Sequence, residues 1–125
     1  MDIVVGILPG TADTFHIFNS TVFAQMKSDS MFVNVGRGDT VHTKELVQAL
    51  TESHLAFAAL DVFEDEPLPQ DHPLWKMSNV LLTPHISGLT VDFQRKFMSI
   101  FLKNLKQFAA DQTLTENQVT LTRGY

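Results

Sequence analysis

Met31-Phe32-Val33-Asn34-Val35 runs without a break into Gly36-Arg37-Gly38. A short apolar run stopped by glycines reads as a buried strand, here delivering one arginine at its end. Similar runs stand on either side. Ile3 to Leu8 ends at Pro9-Gly10, Ala56 to Leu60 ends at Asp61, and Val80-Leu81-Leu82 ends at Thr83-Pro84-His85. Between them lie amphipathic stretches. Asn19 is placed to cap a helix through Lys27 with Val22, Phe23 and Met26 inward. A helix from about Thr43 to Ser53 buries Leu46, Val47 and Leu50. Strands buried on both faces and separated by helices or long crossovers predict a parallel α/β sheet. Four strands make about half of a doubly wound, Rossmann-like sheet.

Beyond Gly88, Thr90 is expected to cap a long helix to about Ala110. Phe93, Phe97, Ile100, Phe101, Leu105 and Phe108 recur there at helical spacing. In the tail, Val119 and Leu121 alternate and can pair as an edge strand. Two regions are therefore expected: 1–89, half of a dinucleotide-binding domain, and 90–125, a long helix and tail.

Composition bounds the rest. The 125 residues suffice for one domain with a core, and 44% hydrophobic content excludes wholesale disorder. The longest apolar run, Leu55 to Leu60, is far too short for a membrane span. Cysteine is absent, which removes disulfides and thiolate zinc sites and makes the cytoplasm the expected location. A net charge of -5 argues against a nucleic-acid partner. Arg95-Lys96, Lys103 and Lys106 read as a solvated helix face. Histidines at metal-ligand spacing are lacking, so no metal is expected.

In open parallel sheets, ligands bind beyond the carboxyl ends of the strands. Three of the four turns there carry reactive groups. Arg37, between two glycines, offers a planar fork suited to a carboxylate. Glu66 precedes Pro67, which disfavours helix and holds the carboxylate in extended chain. His85 follows Pro84 and precedes Ile86-Ser87-Gly88, read as flexible. A carboxylate beside an imidazole favours the imidazolium, a general acid. Anion anchor, proton donor and tuner of that donor are what reduction of a 2-keto acid requires. Each residue alone also has a plain reading: loop arginine, solvated acid, satisfied histidine.

The words in order are more specific. Leu8-Pro9-Gly10-Thr11, Asn34-Val35-Gly36-Arg37-Gly38, Ala59-Leu60-Asp61-Val62-Phe63 leading to Glu66-Pro67, and Asn79 through Gly88 resemble the successive signatures of the D-isomer-specific 2-hydroxyacid dehydrogenase family. The resemblance covers nearly the whole chain and corresponds to the C-terminal half of such enzymes. It implies that Arg37 binds the substrate carboxylate and carbonyl, that His85 is the acid/base, and that Glu66 holds and tunes His85. It further implies that Asp61 contacts the nicotinamide carboxamide, and that Pro9, Thr11, Val35, Gly36 and Gly88 line NAD or NADP. Glutamate at position 66 resembles keto-acid reductases more than formate dehydrogenases. The ending Arg123-Gly124-Tyr125 resembles the terminus of bacterial members, which places the missing part at the front.

His42 departs from the family, which usually has a capping aspartate there. Such a replacement costs about 1 kcal/mol, and Glu45 is expected to recover part of it through the helix dipole. The chain also lacks the G-x-G-x-x-G that holds a pyrophosphate. It is therefore expected to be inactive alone, to self-associate through the Ile3–Leu8 edge or the last helix, or to pair with a missing N-terminal half. A dinucleotide-sensing corepressor-like module and a truncated product without function remain the alternatives.

Overall fold

The computed structural model describes residues 2–122; the terminal Arg123-Gly124-Tyr125 lies outside them. The chain falls into two compact units, Met1–Ser87 and Gly88–Tyr125.

The first unit is built on four parallel strands: β1 (Ile3–Gly6), β2 (Met31–Asn34), β3 (Phe57–Leu60) and β4 (Val80–Leu82). They lie side by side in chain order. Helix α1 (Ser20–Ala24) links β1 to β2, and α2 (Thr43–Thr51) links β2 to β3. Asn19 caps α1 as expected, its Oδ1 accepting the Thr21 and Val22 amides at 3.1 and 3.3 Å. The helix stops at Ala24 rather than Lys27, because Gln25 already turns its amide back onto the last carbonyls.

Register sorts the side chains into two faces. Val4, Phe32, Ala58 and Val80 form one row, and Gly6, Asn34, Leu60 and Leu82 the next, on the face that α1 and α2 cover. Phe23 of α1 meets Phe32 edge-on at 5.4 Å, and Leu46, Ala49 and Leu50 of α2 complete the core. Val47, expected inside, is only partly buried, while Ala49 takes an inner position.

The opposite face is open. Ile3, Val5 and Leu81 are each more than half exposed. The expectation of strands buried on both faces therefore holds for one face of this unit. With helices laid along a single side, the odd-numbered positions of β1 have nothing against them, and the strand alternates.

In the second unit, α3 (Phe93–Asp111) begins after Asp92, not Thr90. Thr90 accepts the Phe93 amide through its carbonyl and turns its hydroxyl to Asp92 at 3.1 Å, so it shapes the entry without capping the helix. Phe93, Phe97 and Phe101 stack along one stripe, centroids 6.5 and 6.4 Å apart. Gln112 ends the helix in the left-handed conformation, φ 62°.

The tail forms no strand through residue 122. Asn104 holds it instead: Oδ1 accepts the Thr115 and Glu116 amides at 3.1 and 3.0 Å, and Nδ2 donates to the Glu116 carbonyl at 2.9 Å. One amide side chain satisfying three backbone groups outweighs the weak alternation of Val119 and Leu121.

Candidate active site

The site is assembled from the turns that follow β2, β3 and β4, all within the first unit. Arg37 follows β2 in the bend closed by Asn34. The buried Asn34 side chain accepts the Gly36 amide at 3.1 Å and donates to the Arg37 carbonyl at 3.0 Å. The Thr40 hydroxyl donates to that same carbonyl at 2.6 Å.

The flanking glycines are demanded by close approach. A methyl group on Gly36 would lie 2.6 Å from the Leu8 carbonyl oxygen, and one on Gly38 would lie 1.8 Å from that of Phe63. Nothing larger than hydrogen fits between backbones that near. Arg37 is thereby held outward. Its guanidinium touches only the Gly36 carbonyl, at 2.8 Å, and has no carboxylate partner among the described residues.

Phe63 joins this bend to the acid. Its amide donates to Glu66 Oε1 at 2.9 Å, while Glu66 Oε2 faces His85 Nδ1 at 2.8 Å. Burial works to raise the Glu66 pKa, but the His85 bond and the Phe63 amide outweigh it and hold the carboxylate below its usual range. An ionised Glu66 is an acceptor only, so the proton between the two rests on Nδ1. The other ring nitrogen, Nε2, is left for chemistry.

The turn carrying His85 is wound on Asp61. This carboxylate is buried, 2% exposed, directly after β3. Oδ1 accepts the Thr83 hydroxyl at 2.5 Å and the Ile86 amide at 2.9 Å, and Oδ2 accepts the Ser87 amide at 2.8 Å. Desolvation alone would raise its pKa, yet those donors bring it far below the ordinary carboxylate value. Ile86-Ser87, read from sequence as flexible, is therefore tied down through its backbone. The tether lets His85 keep a left-handed φ of 53°, a conformation that a residue with a Cβ rarely adopts.

The remaining expected positions are placed as follows. Pro9 and Thr11 sit in the turn beyond β1, where Thr14 Oγ1 donates to the Pro9 carbonyl at 2.6 Å and accepts the Thr11 amide at 2.9 Å. The Val35 and Gly36 amides are engaged with Gly6 and Asn34. Gly88 opens the second unit, with no heavy atom near the position a Cβ would take. Arg37, Glu66 and His85 line one cavity of about 350 Å³ together with Phe63. No group of three or more His, Asp or Glu among the described residues is arranged to hold a metal.

Two acids have roles that the sequence did not disclose. Glu64 Oε2 accepts the Thr43 amide at 2.6 Å, and its Oε1 meets His16 Nε2 at 2.5 Å. The first turn of α2 is thus satisfied from a distant loop, while His42 at its cap makes no capping bond. Glu45 reaches across to accept the Ser20 amide of α1 at 2.5 Å, its other oxygen 3.8 Å from His42 Nε2 at its own helix cap. The sequence offered a signal in both cases, an acid with no lysine or arginine at helical spacing, but not the partner.

Comparison with known proteins places the chain in a family. Residues 1–87 match the family described as D-isomer specific 2-hydroxyacid dehydrogenase, NAD binding domain. Over 104 residues the chain is 46% identical to glyoxylate/hydroxypyruvate reductase B of Salmonella newport, covering 83% of this chain and 32% of that protein. A D-isomer specific 2-hydroxyacid dehydrogenase from Xanthobacter autotrophicus Py2, solved with NADPH, superposes with a TM-score of 0.90 at 40% identity, over 98% of this chain and 50% of that one. An NADPH-dependent glyoxylate/hydroxypyruvate reductase from Sinorhizobium meliloti, solved with NADP and sulfate, gives 0.89 at 34% identity, over 100% and 40%. The chain thus spans a third to a half of the length of these relatives. With four parallel strands of the Rossmann-like kind and a matching profile over most of its length, this chain belongs to the D-isomer specific 2-hydroxyacid dehydrogenase family.

Proposed function

We infer that this chain supplies the acid/base half of a 2-keto acid reductase acting with NAD or NADP, in the cytoplasm. The carrying observation is the His85–Glu66 pair sharing a cavity with an arginine that has no acid partner among the described residues. Arg37 takes the substrate carboxylate through the guanidinium donors that the Gly36 carbonyl leaves over. His85 Nε2 delivers the proton to the carbonyl oxygen, and Glu66, kept ionised, stabilises the charged ring and fixes its tautomer.

The residues present fit the nicotinamide end of a dinucleotide and not its pyrophosphate. Asp61 is assigned to the nicotinamide carboxamide, and Pro9, Thr11, Val35 and Gly36 to the rest of that end of the cofactor. The Val35 and Gly36 amides are already bonded within the chain, so neither is free to receive a phosphate. When bound, the dinucleotide supplies the hydride that reduces the keto carbon. A phosphate cradle must come from elsewhere, from a second polypeptide carrying the first βαβ unit or from chain preceding this segment. Region 90–125 is assigned to contacts with the substrate domain.

The test is turnover. The purified chain, with NADH or NADPH and a 2-keto acid, is expected to show none. Supplied with the N-terminal half of a relative, it is expected to gain turnover that His85→Gln abolishes. Turnover by the chain alone, or none from a complex shown to have formed, overturns this reading.

A further inference from the structure

Between β1 and α1 the chain turns at His16, whose contacts reach two residues that line the cavity of Arg37, Glu66 and His85. Its backbone amide donates to the Asp39 carbonyl at 2.9 Å, and its ring Nε2 meets Glu64 Oε1 at 2.5 Å. Asp39 belongs to the bend that carries Arg37, and Glu64 to the loop that carries Glu66. We propose that His16 is a positioning residue for the reaction, locking that bend to that loop and so setting the gap between carboxylate anchor and proton donor. The proposal rests on the roles given above to Arg37, Glu66 and His85.

Three observations carry it. His16 holds a left-handed φ of 51°, which a residue with a Cβ keeps only where its surroundings fix it. Here Asn19 Nδ2 donates to its carbonyl at 3.1 Å, and its ring lies between those of Phe15 and His42, centroids 3.8 and 4.6 Å away.

The second observation is a continuous path. Glu64 is gripped by His16 and by the Thr43 amide, and the preceding residue, Phe63, donates its amide to Glu66, which holds His85 Nδ1. With Glu64 ionised and able only to accept, His16 Nε2 carries the proton of its bond. The third is place: His16 does not line the cavity itself, so it acts through Glu64 and not on the substrate.

The test uses the intact chain. Asparagine tolerates the left-handed φ, but its amide stops one bond short of where the His16 Nε2 reaches; glutamine has the full reach. The imidazole nitrogen resonances of neutral His85 report whether its proton stays on Nδ1, and hydrogen exchange reports the Phe63 amide. In His16→Asn, His85 should become a mixture of tautomers and the Phe63 amide should exchange about fivefold faster, the scale of one lost hydrogen bond. The amides of residue 16 and of Phe32 in β2 should keep their rates. His16→Gln should restore both signals.

A single His85 tautomer with unchanged Phe63 exchange in His16→Asn overturns the proposal. So does equal acceleration at Phe63 and Phe32, which would mean that His16 serves stability alone. Mixed tautomers already in the unaltered chain would show instead that the Glu66–His85 reading fails, and the positioning role with it. Where His16→Asn does not fold, Glu64→Asp, which draws the carboxylate back from His16, makes the same comparison.

Discussion

Asp61 and Ser87, twenty-six residues apart, meet at 2.8 Å, carboxylate oxygen to backbone amide, and so close the turn on which His85 stands. Asp61→Asn keeps the shape but replaces acceptors with a mixed amide that must oppose an N–H. It is expected to cost about 3 kcal/mol, the scale of lost bonds to a buried charge. The loss should be largest near neutral pH. Because the folded pKa lies below the ordinary 3.8, the stabilisation is complete above that value and fades as pH falls beneath it. Urea unfolding of both proteins at several pH values measures the closing gap.

Glu64 couples α2 to the loop after β3. Burial opposes its ionisation, but the Thr43 amide and His16 hold its pKa low, so its contribution is also lost as pH drops below 4.5. Glu64→Ala leaves the first turn of α2 without its acceptor. A loss of about 2 kcal/mol is expected, between a missing cap and a missing charged bond. Thermal unfolding at pH 7 checks the size, and an unchanged midpoint would show that water caps the helix equally well.

Gly38→Ala drives a methyl into the Phe63 backbone, which cannot step aside as a side chain would. It should destabilise by at least about 3 kcal/mol, beyond the usual range for overpacking. Since Phe63 also donates to Glu66, the His85 resonance should shift in whatever fraction remains folded.

Asn104→Ala releases three backbone groups of the tail while leaving α3 intact. Hydrogen exchange at Thr115 and Glu116 should accelerate to rates typical of open chain, with α3 amides little changed. Protection retained at those two amides would contradict the tether.

The open sheet face and the free edge of β1 present apolar surface of the kind that recruits another chain. Sedimentation velocity over a range of concentrations should show self-association, reduced by Val5→Lys. A monomer at every concentration would count against it.

Much of this was readable in advance because strand ends and chemistry coincide. Short apolar runs gave all four strands to within one or two residues, and the turns after them carry Arg37, Glu66 and His85. What escaped were long-range bonds between single carboxylates and backbone amides. Asp61 looked like a ligand contact, yet most of its acceptor capacity is spent on the His85 turn. Glu45 looked like a helper of its own helix, yet it meets the Ser20 amide of α1. No local pattern encodes which distant amide an acid will meet. The helix start at Phe93 was missed because Thr90 and Asp92 are both residue types that cap helices, and here neither side chain makes a capping bond.

Strand order also fixes a length scale. With neighbouring strands about 4.8 Å apart, the step from the end of β1 to the end of β4 is roughly 14 Å. Thr11 stands at one end of that span and His85 at the other. A molecule touching both ends must be at least as long as that step. The order of the strands thus sets a minimum extent, about 14 Å, for any single group that meets the turns after β1 and β4 together.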